Sequence, residues 1–186
     1  MHEGSGDMNG REVWRTIGRI AHEIVEQLGD PSGYVLVGVV TGGAKLARRL
    51  ADAIEKIEGV RPQTGSLDIT LYRDDLYTGL EKPVLGETVL PFALTGTGIV
   101  LVDDVLFTGR TTRAALDELM DYGRPRWIKL AVLVDRGHRE LPISADFVGR
   151  KIVTDLHGKV VVSLEVDGEG ADGVEVTRGN LGGEET

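Results

Sequence analysis

The stretch Ile99-Val-Leu-Val-Asp103-Asp104-Val-Leu-Phe-Thr108-Gly109-Arg110-Thr111-Thr112 decides the fold of this chain. Its first four residues are apolar and mostly β-branched, as expected for a strand that is buried on both faces. After the turn, apolar residues recur at the spacing of an amphipathic helix, namely Ala114, Leu116, Leu119 and Met120. We therefore predict a strand over residues 99–102, a turn at its carboxyl end and a helix.

The turn has the composition of a sugar-phosphate cradle. Ligands bind at the carboxyl ends of strands in open parallel sheets, where the N–H groups that begin the next helix attract anions. Thr108, Thr111 and Thr112 add hydroxyl donors, and Gly109 lets the backbone approach a phosphate closely. The paired acids suit the two hydroxyls of a ribose. The alternative is an ordinary strand end whose acids cap the helix.

Two common nucleotide-binding loops are excluded for this turn. A Walker loop requires G-x-x-x-x-G-K-[ST] and a dinucleotide fingerprint requires G-x-G-x-x-G, and the turn matches neither.

Composition and charge restrict the classes of protein to which this chain can belong. The 186 residues contain no cysteine, which excludes disulfides, thiolate nucleophiles and zinc–thiolate sites, and no apolar run is long enough to span a membrane. We expect one soluble, cytoplasmic domain. Of the net charge of −9, residues 167–186 contribute −5 and residues 1–10 contribute −2, so the remainder carries −2. Both ends are rich in glycine and poor in large apolar residues, and we expect them to be disordered around a domain over residues 11–166.

Strands and helices alternate along that domain, which predicts an α/β fold with a mainly parallel central sheet flanked by helices. Residues 73–97 have little periodicity and are expected to form a flexible loop or excursion. Helices are predicted over residues 11–28 and 44–57, and strands over residues 34–40, 65–72, 127–134, 147–153 and 160–166.

Four hydrophobic residues, two acids and then Thr-Gly-Arg-Thr resemble the signature of the type I phosphoribosyltransferases. Further segments resemble one family among them, the bifunctional pyrimidine operon regulators and uracil phosphoribosyltransferases called PyrR. They are Arg19-Ile-Ala-His-Glu23, Leu67-Asp-Ile-Thr-Leu-Tyr-Arg-Asp-Asp-Leu76, Gly123-Arg-Pro125 and Leu130-Ala-Val-Leu-Val-Asp-Arg-Gly-His-Arg-Glu-Leu-Pro-Ile143. The resemblance implies a type I phosphoribosyltransferase fold with a small hood, and assembly as a homodimer or larger oligomer.

The resemblance also implies a reaction, in which uracil and 5-phosphoribosyl-1-pyrophosphate (PRPP) give UMP and pyrophosphate. Asp103 and Asp104 would hold the ribose hydroxyls, directly or through Mg²⁺ and water, since a hard dication pairs naturally with carboxylates and pyrophosphate. The 5′-phosphate would lie against the loop, which comprises Val105, Thr108, Gly109, Arg110, Thr111 and Thr112. Arg73 would reach the pyrophosphate from a lid, the alternative being a surface ion pair with Asp74 or Asp75.

Two further turns are expected to bind substrate. Thr41, Gly42 and Gly43 would form the pyrophosphate loop, but many relatives carry arginine where this chain has Gly42, so we expect weaker pyrophosphate binding, with Lys45 as a substitute source of charge. Asp135 would order Arg136, which would donate to uracil or pyrophosphate. The alternative is that these two residues form a structural ion pair.

PyrR proteins also bind a hairpin in the leader of pyrimidine messages when UMP is present. A basic stripe on the first helix, continued beyond the third buried strand, suits that role: Arg15, Arg19, His22, His138 and Arg139. A solvated helix face is the alternative. Gly18 stands where relatives often have threonine, and Ser144 where they often have arginine, so we expect weaker or narrower RNA recognition.

Three functional hypotheses follow. The first is a Mg²⁺-dependent uracil phosphoribosyltransferase, and the second is mainly a UMP-sensing RNA-binding regulator with weak catalysis; the resembled family combines both roles. The third is a phosphoribosyltransferase for another base, which the match over residues 135–143 disfavours.

Overall fold

A five-stranded parallel sheet forms the centre of the computed structural model, which describes residues 6–69, 87–156, 158–165 and 172–177. The spatial order of its strands is β3-β2-β4-β5-β6, so the chain starts in the middle and winds outward in both directions. The strands are β2 (Tyr34–Val39), β3 (Gln63–Leu67), β4 (Gly98–Leu106), β5 (Trp127–Asp135) and β6 (Phe147–Lys151). This confirms the predicted α/β class with a parallel sheet.

Helices cover both faces of the sheet. On one face, α1 (Gly10–Leu28) and α2 (Gly42–Glu58) share a core with alternate residues of β2, β4 and β5. On the other face, α3 (Arg110–Asp121) packs through Ala115 and Leu119. A short 3-10 helix, Pro31–Gly33, leads from α1 into β2. Within the described part of the chain, none of the helices combines the length and the apolarity that a membrane span requires.

The predicted helix faces needed small corrections. The helical spacing of Trp14, Ile17, Ala21 and Ile24 predicts that Trp14 lies on the apolar face of α1, and Met120 is predicted on that of α3, but these two side chains are 63% and 57% exposed. Val13 and Ile20 are buried in α1, which rotates the apolar face relative to the predicted one. Asn9 caps the amino end of α1: its side chain accepts from the Glu12 N–H in a capping box.

The strand boundaries differ most from the sequence prediction in β4 and β3. Strand β4 does not end at Val102 but continues through the acids to Leu106, because Asp103 and Val105 still pair with β5. Strand β3 was predicted over residues 65–72, yet it begins at Gln63 and ends at Leu67. The remainder of that prediction, residues 70–72, lies outside the described residues.

A second, antiparallel sheet forms a small hood in the order β1-β8-β7. It consists of β1 (Met8–Asn9), β7 (Lys159–Ser163) and β8 (Gly173–Thr177). Predicted disorder is therefore wrong for residues 8–9 and 173–177, which pair with each other. Their apolar content is small but well placed, since Met8 and Val174 are buried in the core beside α1.

Part of the expected long excursion is also packed. Residues 70–86 lie outside the described residues, but Val89 bridges Ser66 at the edge of the sheet and Leu94 is buried against β4. The described end of this segment, residues 87–97, is thus part of the second core rather than a loose loop.

Candidate functional site

A cleft of about 670 Å³ opens at the carboxyl ends of β2 and β4. The hood forms one wall and the parallel sheet forms the other. The core side contributes Val39, Val40, Thr41, Gly42, Lys45, Asp103, Asp104, Val105, Phe107, Thr111 and Arg136, and the hood side contributes Val160, Val162, Ser163, Leu164 and Glu165. The predicted site residues that meet here come from three separate segments of the chain, residues 41–45, 103–111 and 136.

The two acids of β4 both reach this cleft. Asp103 is only 6% exposed, and its Oδ1 accepts the N–H of Asp104 at 2.9 Å. Asp104 is half-buried, and its Oδ1 accepts the N–H of Val105 at 2.9 Å. The alternative that the acids cap the next helix is wrong, because α3 is capped by Gly109 without a side-chain hydrogen bond.

The cradle turn leaves donors for an anion. Gly109 has a φ of +93°, a conformation that favours glycine, and it turns the backbone directly into α3. Thr111 lines the cleft, and the hydroxyl of Thr112 is buried with no hydrogen-bond partner among the described residues. The Arg110 side chain instead turns outward to Glu140, with Nε 2.6 Å from Oε2. The first-turn amides and the threonines are thus the groups that suit a phosphate.

A second candidate anion loop closes the cleft from the side of β2. Val40 and Thr41 lie between β2 and α2, and the helix begins at Gly42 rather than at Ala44. A Cβ added to Gly43 would lie 2.3 Å from the Val102 carbonyl oxygen, so only glycine lets α2 approach β4 this closely. A Cβ on Gly42 would lie 2.1 Å from Asp104 Oδ2. Because Gly42 has no side chain, the Asp104 carboxylate occupies the space that a Cβ at this position would fill.

Arg136 supplies a buried cation to the same cleft. It is 7% exposed, its guanidinium lies 3.8 Å from the centroid of the Phe107 ring, and Nη2 is 3.4 Å from the Asp155 carbonyl oxygen. Burial lowers the pKa of Arg136 and the Asp155 carboxylate partly offsets this, but a guanidinium stays charged at neutral pH. Its Nε has no hydrogen-bond partner among the described residues, which suits a ligand acceptor.

The expected partnership of Asp135 with Arg136 is wrong. Asp135 binds Arg139, with Oδ1 2.7 Å from Nη2, and accepts the Gly137 N–H at 3.0 Å. Burial raises the pKa of this carboxyl, but the hydrogen bonds from Arg139 and Gly137 outweigh it and the net pKa is lowered. Asp135 therefore shapes the turn, while Arg136 faces the cleft without it.

The candidate RNA-binding residues divide into two groups. Arg15 and His22 are exposed on α1. By contrast, Arg19 donates to the carbonyls of Val148 and Gly149 and pairs with Glu23. His138 and Arg139 are also engaged in the turn after β5, where His138 Nε2 donates to Thr154 O at 2.7 Å and Arg139 Nη1 donates to Phe107 O at 2.8 Å.

A magnesium ion fits the chemistry of the acid pair. Carboxylate oxygens are ligands that Mg²⁺ prefers, and Asp103 and Asp104 both line the cleft. The described residues contain no group of three or more metal-ligating side chains, so an ion here would take further oxygens from substrate and water. Arg73, the predicted lid cation, lies outside the described residues.

Sequence reasoning missed Phe107 and the hood wall. Phe107 lies inside the motif of residues 99–112, but in the sequence it cannot be distinguished from an ordinary aromatic residue of the core. The hood residues alternate apolar and polar like any edge strand, and only the antiparallel pairing of β7 with β8 brings them over the cleft. No local sequence pattern distinguishes them.

The fold and the two anion loops are those of a phosphoribosyltransferase, and the family model for the phosphoribosyl transferase domain matches residues 9–167. Among curated relatives, "Bifunctional protein PyrR" of Thermus aquaticus is 58% identical over 163 residues, covering 87% of this chain and 90% of the relative. The protein of the same name from Geobacter sp. (strain M21) is 54% identical over 160 residues, covering 86% and 90%. The chain belongs to the PyrR family.

Solved structures agree on the fold. A hypoxanthine phosphoribosyltransferase from Staphylococcus aureus superposes with a TM-score of 0.63 at 16% identity, covering 84% of this chain and 81% of that one. A hypoxanthine-guanine-xanthine phosphoribosyltransferase superposes with a TM-score of 0.65, also at 16% identity, covering 95% and 94%. At this identity the likeness concerns the architecture alone.

Proposed function

We propose that the chain is a Mg²⁺-dependent uracil phosphoribosyltransferase that makes UMP and pyrophosphate from uracil and PRPP. The observation that carries this is the convergence of an acid pair, two anion loops and a buried arginine on one cleft. Ribose, 5′-phosphate and pyrophosphate each find a complementary group there. A chain without cysteine that acts on these metabolites fits the reducing cytoplasm, where we place it.

The residues act mainly by positioning and by charge. Asp103 and Asp104 orient the ribose, and the amides and hydroxyls of residues 108–112 hold the 5′-phosphate at the opposite end of the sugar. As pyrophosphate leaves C1, the ribose gains positive character, which the two carboxylates stabilise. Arg136 and the N–H groups around Gly42 receive charge on the base or the leaving group. Asp103 and Asp104 would hold Mg²⁺, which would supply positive charge to offset that of the leaving pyrophosphate.

A base panel tests this function. Uracil, cytosine, hypoxanthine and guanine are each incubated with PRPP and Mg²⁺, and nucleotide and pyrophosphate are measured. We expect UMP formation alone, abolished by a chelator. Turnover with a purine, or none with any base while PRPP still binds, would contradict the proposal. The Asp104→Asn variant is the matched control, since it keeps size and loses the charge.

We further propose a second role, the binding of a pyrimidine-leader RNA hairpin when UMP is present. The observation that favours it is an exposed row on α1 that comprises Arg11, Arg15 and His22. Positive side chains at helical spacing match RNA phosphates. Titration of a leader hairpin at fixed salt, with and without UMP, measures the effect. Binding of equal strength with and without UMP would contradict the UMP-responsive role, and no binding in either condition would leave the protein as an enzyme only. A homodimer or larger oligomer is part of this proposal, since one helix presents few cations.

A further inference from the structure

Two cations of α2 attach the hood to the core. Lys45, one turn into the helix, donates from Nζ to the carbonyl oxygen of Leu164 at 2.9 Å. Arg49, one turn further, pairs through Nη1 with Oδ2 of Asp172. The side chains of this pair are 10% and 3% exposed, so it is buried, unlike Arg113–Asp117 on α3, where they are 68% and 59% exposed.

Asp172 joins three parts of the structure. Its Oδ2 binds Arg49 of α2, and its Oδ1 accepts the N–H of Glu165 at 2.9 Å. Glu165 follows β7, whereas Asp172 immediately precedes β8. Both carboxylate oxygens are therefore used, and they fix the end of one hood strand to the start of the next and to α2.

The residues held in this way form the hood wall of the cleft. Ser163, Leu164 and Glu165 line it, and Lys45 and Asp172 bind the last two of these through backbone atoms. The same helix begins at the pyrophosphate loop, at Gly42. The hood wall is thus attached to α2, the helix whose amino end would hold the leaving pyrophosphate. The distance between the hood wall and the ribose acids therefore depends on α2.

A buried ion pair favours a defined geometry more than it favours stability. Desolvation of the two charges offsets much of their attraction, so replacing both partners by uncharged side chains often costs little stability, while removing one leaves a buried unpaired charge. The Arg49–Asp172 pair also directs two hydrogen-bonding oxygens at once, which an apolar contact does not do.

We propose that Asp172, oriented by Arg49, is a positioning residue for the base subsite: it holds residues 163–165 at the distance from the ribose acids at which the base fits. The inference rests on the proposed uracil phosphoribosyltransferase function. The phosphate and ribose are held by the core side of the cleft, so the base is the part of the substrates that depends on the hood wall.

The test compares three variants of the full chain. Asp172→Asn keeps the shape and an acceptor for Glu165 but loses the ion pair. The double variant Arg49→Met with Asp172→Asn leaves no unpaired buried charge, so it stays folded even where the single variant is weakened. Asp52→Asn is the matched control, because Asp52 lies on the same helix and its ion pair with Arg61, which follows the end of the helix, is exposed. Thermal melting establishes that each variant is folded.

Steady-state kinetics separate positioning from stability. For the single and double variants we expect KM for uracil to rise about tenfold, with KM for PRPP changed less than about twofold. For Asp52→Asn we expect neither to change. A merely structural pair predicts that the double variant, once it melts like the wild type, also recovers the wild-type KM for uracil. That recovery, or an unchanged KM in both variants, would overturn the proposal.

Amide hydrogen exchange distinguishes failure of this inference from failure of the enzyme assignment. Without substrate, the amides of residues 159–165 should exchange faster in the single and double variants than in the wild type, while those of β4 keep their protection. If the wild type makes no UMP, the proposed function fails and this measurement still decides whether Asp172 holds the hood wall. Unchanged exchange would show that it does not.

Discussion

The guanidinium carbon Cζ of Arg136 lies over the ring of Phe107, 3.8 Å from its centroid. The carbonyl oxygen of Phe107 in turn accepts from Arg139 Nη1 at 2.8 Å. A single residue of the cradle loop therefore connects the phosphate end of the cleft with the turn after β5. Stacking on an aromatic face restricts a guanidinium to a plane, which presents its remaining donors to the cleft.

Replacing Phe107 should disorient Arg136. We expect Phe107→Leu to lower kcat/KM by about fivefold, since a cation–π contact of this kind contributes on the order of 1 kcal/mol. Phe107→Tyr keeps the ring and should behave like the wild type, which separates the stacking from general packing. Equal activity of the leucine and tyrosine variants, measured as UMP formation, would show that Arg136 does not depend on the ring.

The fold was largely predictable because its signals are local. Residues 99–102 and 127–134 are apolar runs of strand length, each followed by turn residues and, after the first, by helical spacing. Such runs pair in parallel when helices separate them. The resemblance implied a hood, but its strands β1 and β8 were not predictable, because they are short, lie in glycine-rich acidic ends and become strands only through pairing with each other and with β7.

Part of the candidate site was likewise predictable from the sequence, and part was not. The acids and the cradle are contiguous in sequence, and the structure places Asp103, Asp104 and Thr111 in one cleft as expected. The partner of Asp135 was assigned to the neighbouring residue, but successive residues point in different directions and Arg139, four positions on, completes the turn. The sequence placed Asp172 in an acidic end that was expected to be disordered. Its burial against Arg49 depends on strand pairing between residues far apart in the chain.

Asp104 should control both turnover and the need for Mg²⁺. Because its carboxylate is the more exposed of the pair, we expect Asp104→Asn to lower kcat/KM roughly 100-fold and to raise the Mg²⁺ concentration for half-maximal activity. Activity measured against Mg²⁺ at saturating PRPP checks this. A fall in rate with an unchanged Mg²⁺ dependence would assign Asp104 to the ribose alone.

Gly42 should resist even a small side chain. A Cβ there meets Asp104 Oδ2 at 2.1 Å, so Gly42→Ala forces the carboxylate to move, and overpacking of this kind costs about 1 to 3 kcal/mol. We expect the alanine variant to lose about tenfold in kcat/KM for PRPP. Gly42→Arg carries the same Cβ and adds a cation, so it should recover part of that loss. An arginine variant no better than alanine would remove the argument that a charge is missing here.

The Asp135–Arg139 pair should make stability depend on acid pH. The pKa of Asp135 is lowered from 3.8 in the folded protein, so its stabilising contribution is complete above about pH 4 and is lost as the pH falls below that. Asp135→Asn lacks this contribution. We therefore expect the variant to be less stable at pH 7, with the difference shrinking below pH 4. Urea unfolding of both proteins across this range measures the difference, and a gap that does not narrow would contradict the assignment.

RNA binding should depend on the exposed basic residues of α1 and not on those whose side chains are hydrogen-bonded in the turn after β5. Removing one phosphate contact lowers the slope of log affinity against log salt by about one unit, so we expect Arg15→Ala to do this while UMP formation continues. Arg139→Ala should instead lower the melting temperature and the enzyme activity, because its donors hold Asp135, Phe107 and Ile143. Hairpin titrations at several salt concentrations, with UMP present, distinguish the two effects. An unchanged salt slope in Arg15→Ala would show that this face of α1 is simply solvated.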